Sequence, residues 1–177
     1  KMDSNRTDLI IFHRNLRIKD NEALYYGSIR QKYRCIYIFD PKYWQGNGKS
    51  IRQLYFLKDC LIELDQNLKN LNSKLEIFIG DYKEFYKSLV NSNGQYNLYF
   101  NHSTDINYYN SQISSLINNA IKKYDVNVFR DFGVQRTNIN RDQWSKLWDS
   151  QMNENICDNT MSNNCLLYTY PSPRDDR

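Results

Sequence analysis

The chain has 177 residues, a formal charge of +4 and 15% aromatic residues, and this length suits one sizeable core or one domain with a tail. No stretch approaches the roughly 20 apolar residues of a membrane span, and the N-terminus KMDSNRTD lacks a signal peptide's apolar segment, so we expect a soluble intracellular protein. The mild basic charge is weak support for nucleic-acid binding, and four cysteines without C-x-x-C spacing predict no metal site.

The first predicted element is a buried strand that breaks into a basic turn. Leu9–Phe12 is wholly apolar, as in a central strand covered on both faces. The turn carries Arg14 and Arg17, and Asp20 or Asn21 is placed as the N-cap of the next helix. Ligands of open α/β sheets bind outside the carboxyl ends of the strands. The two arginines therefore either bind a phosphate, a carboxylate or a partner domain, or form structural ion pairs.

A second strand is predicted over Tyr33–Phe39, ending in Asp40. The following segment, 42–50, contains two glycines and is predicted to be a loop. Trp44 lies in that loop and could stack on a ligand. An aromatic side chain folded over the edge of the sheet explains it more simply.

A long helix is predicted over Ile51–Leu71, because leucines recur there in steps of three and four residues. The leucines on this one face are Leu54, Leu57, Leu61, Leu64, Leu68 and Leu71. Such a stripe could form a coiled-coil seam, but one helix packing on a sheet explains the same pattern.

The next predicted elements are a strand, a helix and another strand. Leu75–Ile79 is the third strand, Asp81 is the N-cap of a helix over Tyr82–Val90, and Asn97–Asn101 is the fourth strand. His102 starts the loop that follows. We interpret it as a solvated loop residue rather than a base, because neither an acid nor a nucleophile is paired with it in sequence.

A further helix over Asn107–Lys123 and a fifth strand over Val126–Phe129 complete the alternation. The helix should bury the apolar side chains of Ile113, Leu116, Ile117, Ala120 and Ile121. Beyond the fifth strand, Trp144 and Trp148 share a helical face, which we interpret as packing rather than electron transfer.

The fold class predicted from this alternation is α/β, with a Rossmann-like five-stranded parallel sheet ordered 3-2-1-4-5 and helices on both faces. Neither a Walker lysine nor a G-x-G-x-x-G fingerprint occurs, so the common phosphate loops are missing. We expect the α/β domain to span residues 1–135 and the start of an interdomain linker to span 136–156. Residues 157–177 should be disordered, and 165–177 resembles adaptor read-through rather than native protein.

The segment FHRNLRIKDN resembles the first strand-turn-helix of the DNA photolyase/cryptochrome family, which usually reads F-R-x-D-L-R followed shortly by D-N. The matching residues are Phe12, Arg14, Leu16, Arg17, Asp20 and Asn21. Asn15 replaces the family's aspartate, so we expect a neutral hydrogen bond where relatives could form an ion pair. Asp40-Pro41 is similar to the family's D-P, and FLKDCL resembles its F-L-x-x-S-L. A sub-branch pattern, G-V-x-R…N-R-D-x-W, is carried by Gly133, Val134, Arg136, Asn140, Arg141, Asp142 and Trp144.

This resemblance implies a larger protein. Family members have a C-terminal helical domain that binds FAD and receives the flipped pyrimidine dimer of damaged DNA, so this fragment alone should not repair DNA. The N-terminal domain can hold an antenna chromophore (a folate, a deazaflavin or a flavin such as FMN). Arg14, Phe39 and Asp40 match positions close to that pocket, and the alternative is an empty crevice. No catalytic or metal-binding residue is assigned in this chain.

Three interpretations of function follow. The first is the antenna half of a light-dependent DNA repair photolyase, whose partners are its own FAD domain and damaged DNA. The second is the same domain of a cryptochrome photoreceptor. The third is an unrelated nucleotide-binding α/β protein, which the missing phosphate-loop glycines disfavour.

Overall fold

The computed structural model describes residues 6–30, 32–46, 48–102, 108–129 and 140–157. The elements, in chain order, are β1 (Thr7–Phe12), α1 (Glu22–Ser28), β2 (Tyr33–Phe39), α2 (Pro41–Gly46), α3 (Ile51–Asn70), β3 (Leu75–Ile79), α4 (Tyr82–Asn91), β4 (Tyr96–Asn101), α5 (Tyr108–Ala120), β5 (Asp125–Phe129) and α6 (Arg141–Met152). Residues 130–139 and 158–177 lie outside the described residues, and with them the predicted tail at 165–177, the predicted domain boundary after residue 135 and the sub-branch residues Gly133, Val134 and Arg136. Within the described part of the chain, every helix is too short or too polar to cross a bilayer.

The five strands form one parallel sheet in the order β3-β2-β1-β4-β5, which confirms the predicted fold class and topology. β1 lies at the centre, with Ile10 aligned with Cys35 of β2 and with Tyr99 of β4. Leu9 to Phe12 are each at most 1% exposed. A run of consecutive apolar residues without alternation is therefore the signature of a strand covered on both faces.

Two apolar clusters fill the space between the sheet and its helices. Leu9 and Ile11 point into the first cluster, which contains the inner faces of α4 and α5. Ile10 and Phe12 point into the second cluster, which contains the inner faces of α1 and α3. Successive side chains of a strand point to opposite faces, so the helices cover the sheet from both sides. We call these the α4–α5 cluster and the α1–α3 cluster.

The long helix α3 buries the predicted leucine face. Leu57, Leu64 and Leu68 are buried, while the remaining three leucines of that face are half-buried. A reciprocal capping box fixes the start of the helix, since Ser50 Oγ accepts from Gln53 N and Gln53 Oε1 accepts from Ser50 N. The same device begins α4, where Asp81 and Glu84 cap each other.

Two sequence predictions about local structure are wrong. The predicted loop 42–50 contains the short helix α2, because Asp40 caps it and Pro41 supplies the dihedral angle preferred at a first helical position. Ile121, expected on the inner face of α5, is 65% exposed because the helix ends one residue earlier.

Candidate functional site

The candidate site lies outside the carboxyl ends of β1, β2 and β4. From β1 the chain continues to β2 on one side, whereas β4 and β5 extend the sheet on the other side. The order of connection therefore reverses between β1 and β4, and crevices of open α/β sheets form at such a point. The described segments at the carboxyl ends of these three strands are 13–21, 39–46 with 48–49, and 101–102.

A buried histidine joins the ends of β1 and β4. His13 is 3% exposed, and its Nε2 lies 2.7 Å from the carbonyl oxygen of Asn101. Its Nδ1 accepts a hydrogen bond of 2.8 Å from the backbone N–H of Arg14. A carbonyl can only accept and an N–H can only donate, so this ring is the neutral tautomer protonated at Nε2. His13 therefore holds the first turn against β4.

Asn101 and Asn21 extend this connection to α1. Asn101 Nδ2 donates to Asn21 Oδ1 across 2.7 Å, and Asn101 Oδ1 accepts from Ala23 N at 3.2 Å. Asn21 is the N-cap of α1, since its Oδ1 also accepts from Leu24 N, and its Nδ2 donates to the carbonyl of Arg17. The network is buried and fixes the carboxyl ends of two strands relative to one helix.

The two arginines of the basic turn differ in environment. Arg17 donates from Nη2 to the carbonyl of Asp20 at 3.0 Å and from Nε to that of Lys19 at 3.1 Å, and it lies 4.0 Å from the Asp20 carboxylate. Arg17 therefore closes its own turn. Arg14 is exposed at the start of the turn, where the chain leaves β1.

The expected hydrogen bond of Asn15 is not found. Asn15 is 4% exposed, and neither atom of its side-chain amide has a hydrogen-bond partner in the described structure. An amide buried in this way costs free energy compared with a solvated one. Asn15 therefore lacks the charge of the family's aspartate, and it does not form the neutral hydrogen bond that the sequence predicted.

Asp40 has a structural function that its sequence position did not reveal. Its Oδ1 accepts hydrogen bonds from Lys42 N at 2.9 Å and from Tyr43 N at 3.3 Å. These bonds satisfy backbone donors at the start of α2. The carboxylate thus positions α2 beside the end of β2.

Aromatic side chains of α2 contact Phe39 at the end of β2 and lie close to Lys49. The rings of Phe39 and Trp44 are stacked, with centroids 6.3 Å apart and planes 15° apart. Lys49 Nζ lies 5.1 Å from the ring centroid of Tyr43 and 6.0 Å from that of Trp44. Trp44 is half-buried and packs against both core clusters, in keeping with the packing interpretation of this residue.

The structure places the three sequence-predicted residues Arg14, Phe39 and Asp40 at one edge of the sheet. Sequence reasoning missed Lys49, because a lysine in a presumed loop carries no pattern. It also missed the pairing of Asn101 with Asn21, although a polar residue that ends a buried strand is a usable signal. The edge combines a flat aromatic surface with cations, which suits a planar anionic ligand.

The end of the described chain returns to this edge. The carbonyl of Cys157 accepts a hydrogen bond of 3.1 Å from Asp20 N. Burial raises the pKa of the Cys157 thiol, and the Glu22 and Asp20 carboxylates add to this effect.

In α6, the indoles of Trp144 and Trp148 stack on each other with centroids 5.5 Å apart. Both indoles keep more than a third of their surface exposed.

Comparison with known proteins finds one family and several relatives. The family model for DNA photolyase matches residues 8–132. Cryptochrome-1 of Erithacus rubecula is 41% identical over 71 residues, which is 39% of this chain and 11% of that protein.

Two solved structures share the fold. The photolyase of Sulfolobus tokodaii has a TM-score of 0.65 at 21% identity, and the match covers 81% of this chain and 34% of that one. The Synechocystis cryptochrome has a TM-score of 0.61 at 19% identity, covering 71% of this chain and 27% of that one. The chain thus spans about a third or less of the length of these relatives.

Proposed function

Since the chain belongs to the DNA photolyase family, we propose that it is the N-terminal α/β half of a light-dependent DNA repair photolyase, and that the carboxyl edge of its sheet supports an antenna chromophore. In the longer protein the partners are a C-terminal helical domain that binds FAD, and damaged DNA. The third interpretation, an unrelated nucleotide-binding protein, is excluded by family membership.

One observation carries the antenna proposal. The stacked pair of Phe39 and Trp44, with Lys49 close to the Trp44 ring, lies at the carboxyl end of β2, and Arg14 follows the carboxyl end of the neighbouring parallel strand β1. Folates, deazaflavins and FMN are planar and anionic, so an aromatic surface and cationic side chains match both properties. The Sulfolobus tokodaii photolyase was solved with two FAD molecules, which implicated a novel light-harvesting cofactor in that protein.

A cryptochrome photoreceptor is the second candidate function. The observations that favour it are the 41% identity over 71 residues to the cryptochrome-1 of Erithacus rubecula and the fold shared with the Synechocystis cryptochrome. The two functions share this domain and differ in what the rest of the protein does with light.

The antenna proposal is tested by titrating the 177-residue chain with a folate, a deazaflavin and FMN while following absorbance. Lys49→Ala should weaken binding about tenfold through loss of one charge-assisted contact. Lys122→Ala is the matched control, because Lys122 is exposed beyond the end of α5, and it should bind as the parent chain does. Absence of saturable binding to all three chromophores would remove the antenna proposal and leave the family assignment intact.

The choice between repair and signalling is tested on the longer protein that carries this domain. A photolyase should remove pyrimidine dimers from DNA under blue light. Persistence of the dimers, with the flavin bound and photoreduced, would favour the cryptochrome function.

A further inference from the structure

The edge strand β3 presents exposed apolar side chains. Ile77 is 47% exposed and Ile79 is 72% exposed. Side chains alternate along a strand, so both lie on the same face of the sheet as Leu75, which packs in the α1–α3 cluster. The apolar surface of the sheet therefore continues past the area that α3 covers.

One flank of α3 extends this surface. Asp65 Oδ1 accepts a hydrogen bond of 2.9 Å from Leu75 N, so the flank that carries Asp65 is turned toward β3. Ile62 precedes Asp65 by three residues, and Tyr55 and Ile51 continue the stripe at helical spacing. These three side chains are 46%, 60% and 64% exposed. A short turn joins α3 to β3, so the two elements run antiparallel and the stripe follows the strand.

The edge of β3 is guarded only at its start, where Asp65 of α3 accepts the hydrogen bond from Leu75 N. In the described structure β3 pairs with β2 and has no strand on its other side. Edge strands are commonly guarded by proline, lysine or a bulge, and the sequence LEIFI offers no proline or lysine. Its one charged residue, Glu76, is held by two hydrogen bonds from Arg34, and the bond from Arg34 Nε is 2.9 Å long.

From these features we propose that β3 pairs antiparallel with β3 of a second copy of this chain, about a two-fold axis through Ile77. Ile77 then lies opposite Ile77 of the second copy, and Glu76 lies opposite Phe78, so the register places no like charges face to face. A two-fold pairing of one surface with itself closes the assembly at two copies. The apolar stripe of α3 is covered in the same step.

The available area fits this pairing. The two exposed side chains of β3 and the three of α3 together present a solvent-accessible area on the order of 500 Å². This is the size of the largest apolar patch on a typical monomer. Two copies would bury on the order of 1,000 Å² of this surface, which is the lower bound of specific interfaces. The paired β3 backbones add hydrogen bonds to that area, except from the Leu75 N–H, which already donates to Asp65.

Sedimentation equilibrium of the 177-residue chain tests the proposal. The parent chain should form a concentration-dependent dimer, and Ile77→Lys should raise its dissociation constant at least about tenfold, because a lysine would be buried opposite its symmetry mate. Ile79→Lys changes a largely exposed side chain and should act in the same direction. Val128→Lys is the control, since Val128 lies on the opposite edge strand β5 and is 41% exposed.

A disulfide cross-link tests the register of the two paired β3 strands independently of the sedimentation measurement. Opposite residues of antiparallel strands have Cα atoms about 4.5–5.5 Å apart, which suits a disulfide. In a background with Cys60, Cys157 and Cys165 changed to serine, Ile77→Cys should form a disulfide-linked dimer on oxidation. Ile121→Cys, on the surface after α5, should not. A monomeric parent chain, equal weakening by Val128→Lys, or equal cross-linking at position 121 would overturn the proposal.

Discussion

Asn101 Nδ2 lies 2.7 Å from Asn21 Oδ1, and this single hydrogen bond ties the carboxyl end of β4 to the N-cap of α1. Both residues are 2% exposed. The bond joins elements 80 residues apart in sequence, so it is formed by the tertiary fold and not by local structure. It fixes the geometry of the edge at which the family's ligands are expected.

Replacing Asn101 should destabilise the protein without altering its surface. Asn101→Ala leaves Asn21 Oδ1 short of one donor and Ala23 N without its acceptor, and we expect a loss of about 2–4 kcal/mol in the free energy of unfolding. Urea denaturation followed by circular dichroism measures this loss. Asn119→Ala, an exposed asparagine on α5, is the control and should stay within about 0.5 kcal/mol. Additive effects of Asn101→Ala and Asn21→Ala in the double variant would show that the two side chains do not interact.

Replacing the two arginines of the basic turn should affect different properties. The Arg14 substitution should lower the affinity for the antenna chromophore, and the Arg17 substitution should lower the stability of the fold. Arg14→Ala should weaken antenna binding roughly ten- to over a hundredfold, because a charge-assisted contact contributes about 1.5–3 kcal/mol. Arg17→Ala should change affinity only a few-fold but lower the free energy of unfolding by about 0.5–1.5 kcal/mol, because Arg17 binds two carbonyls of its own turn. Chromophore titration and urea denaturation measure the two effects. An affinity loss confined to Arg17→Ala would contradict the assignment.

Gly27 lets α1 approach the sheet. A Cβ atom there would lie 2.7 Å from Ile10 Cγ1 and 3.2 Å from Tyr99 Cγ, both in the packed α1–α3 cluster. Gly27→Ala should therefore cost about 1–3 kcal/mol through overpacking. Gly46→Ala is the matched control, since a Cβ added there would meet no described atom within 4 Å outside its own helix turn and chain neighbours, and it should stabilise the protein by about 0.4–1 kcal/mol. Equal thermal shifts for the two variants would rule out close packing as the cause.

The contribution of the Asp8 carboxyl to the free energy of unfolding should decrease as pH rises. Burial raises the pKa of this carboxyl, and the hydrogen bond from Asn97 and the charge of Arg30 offset that effect only in part. The unfolded chain releases the Asp8 proton at the ordinary pKa, whereas the folded chain retains it to higher pH. Between those two values the folded state binds more protons, so this contribution to stability falls as pH rises and stays low above the raised pKa.

The measurement is urea denaturation between about pH 3 and pH 7, comparing the parent chain with Asp8→Asn. The stability of Asp8→Asn relative to the parent should increase from the acid to the neutral end. Asn119→Ala, an exposed and non-titrating control on α5, should differ from the parent chain by the same amount at every pH. A constant difference across the range would mean that Asp8 titrates alike in the folded and unfolded chains.

The fold could be predicted from the order of residues alone. Leu9–Phe12 is apolar without a gap, which requires cover on both faces, and alternating helix and strand patterns leave few ways to arrange the other four strands around it. Leucine spacing located α3, and the residues at the ends of β1 and β2 pointed to the edge that holds the candidate site. Each of these inferences depends on local patterns or on general rules of chain connection.

The contacts between side chains could not be predicted in this way, because they depend on the three-dimensional arrangement of the elements. The pairing of Asn101 with Asn21, the position of Lys49 near Trp44 and the missing hydrogen bonds of Asn15 all depend on contacts between distant segments. Helix α2 was missed because glycines near its end carry the composition of a loop, while the capping bonds of Asp40 become visible only in three dimensions. The exposure of Ile77 likewise depends on how far α3 extends across the sheet. An apolar side chain favours burial, but its hydropathy does not show whether another element of the fold covers it.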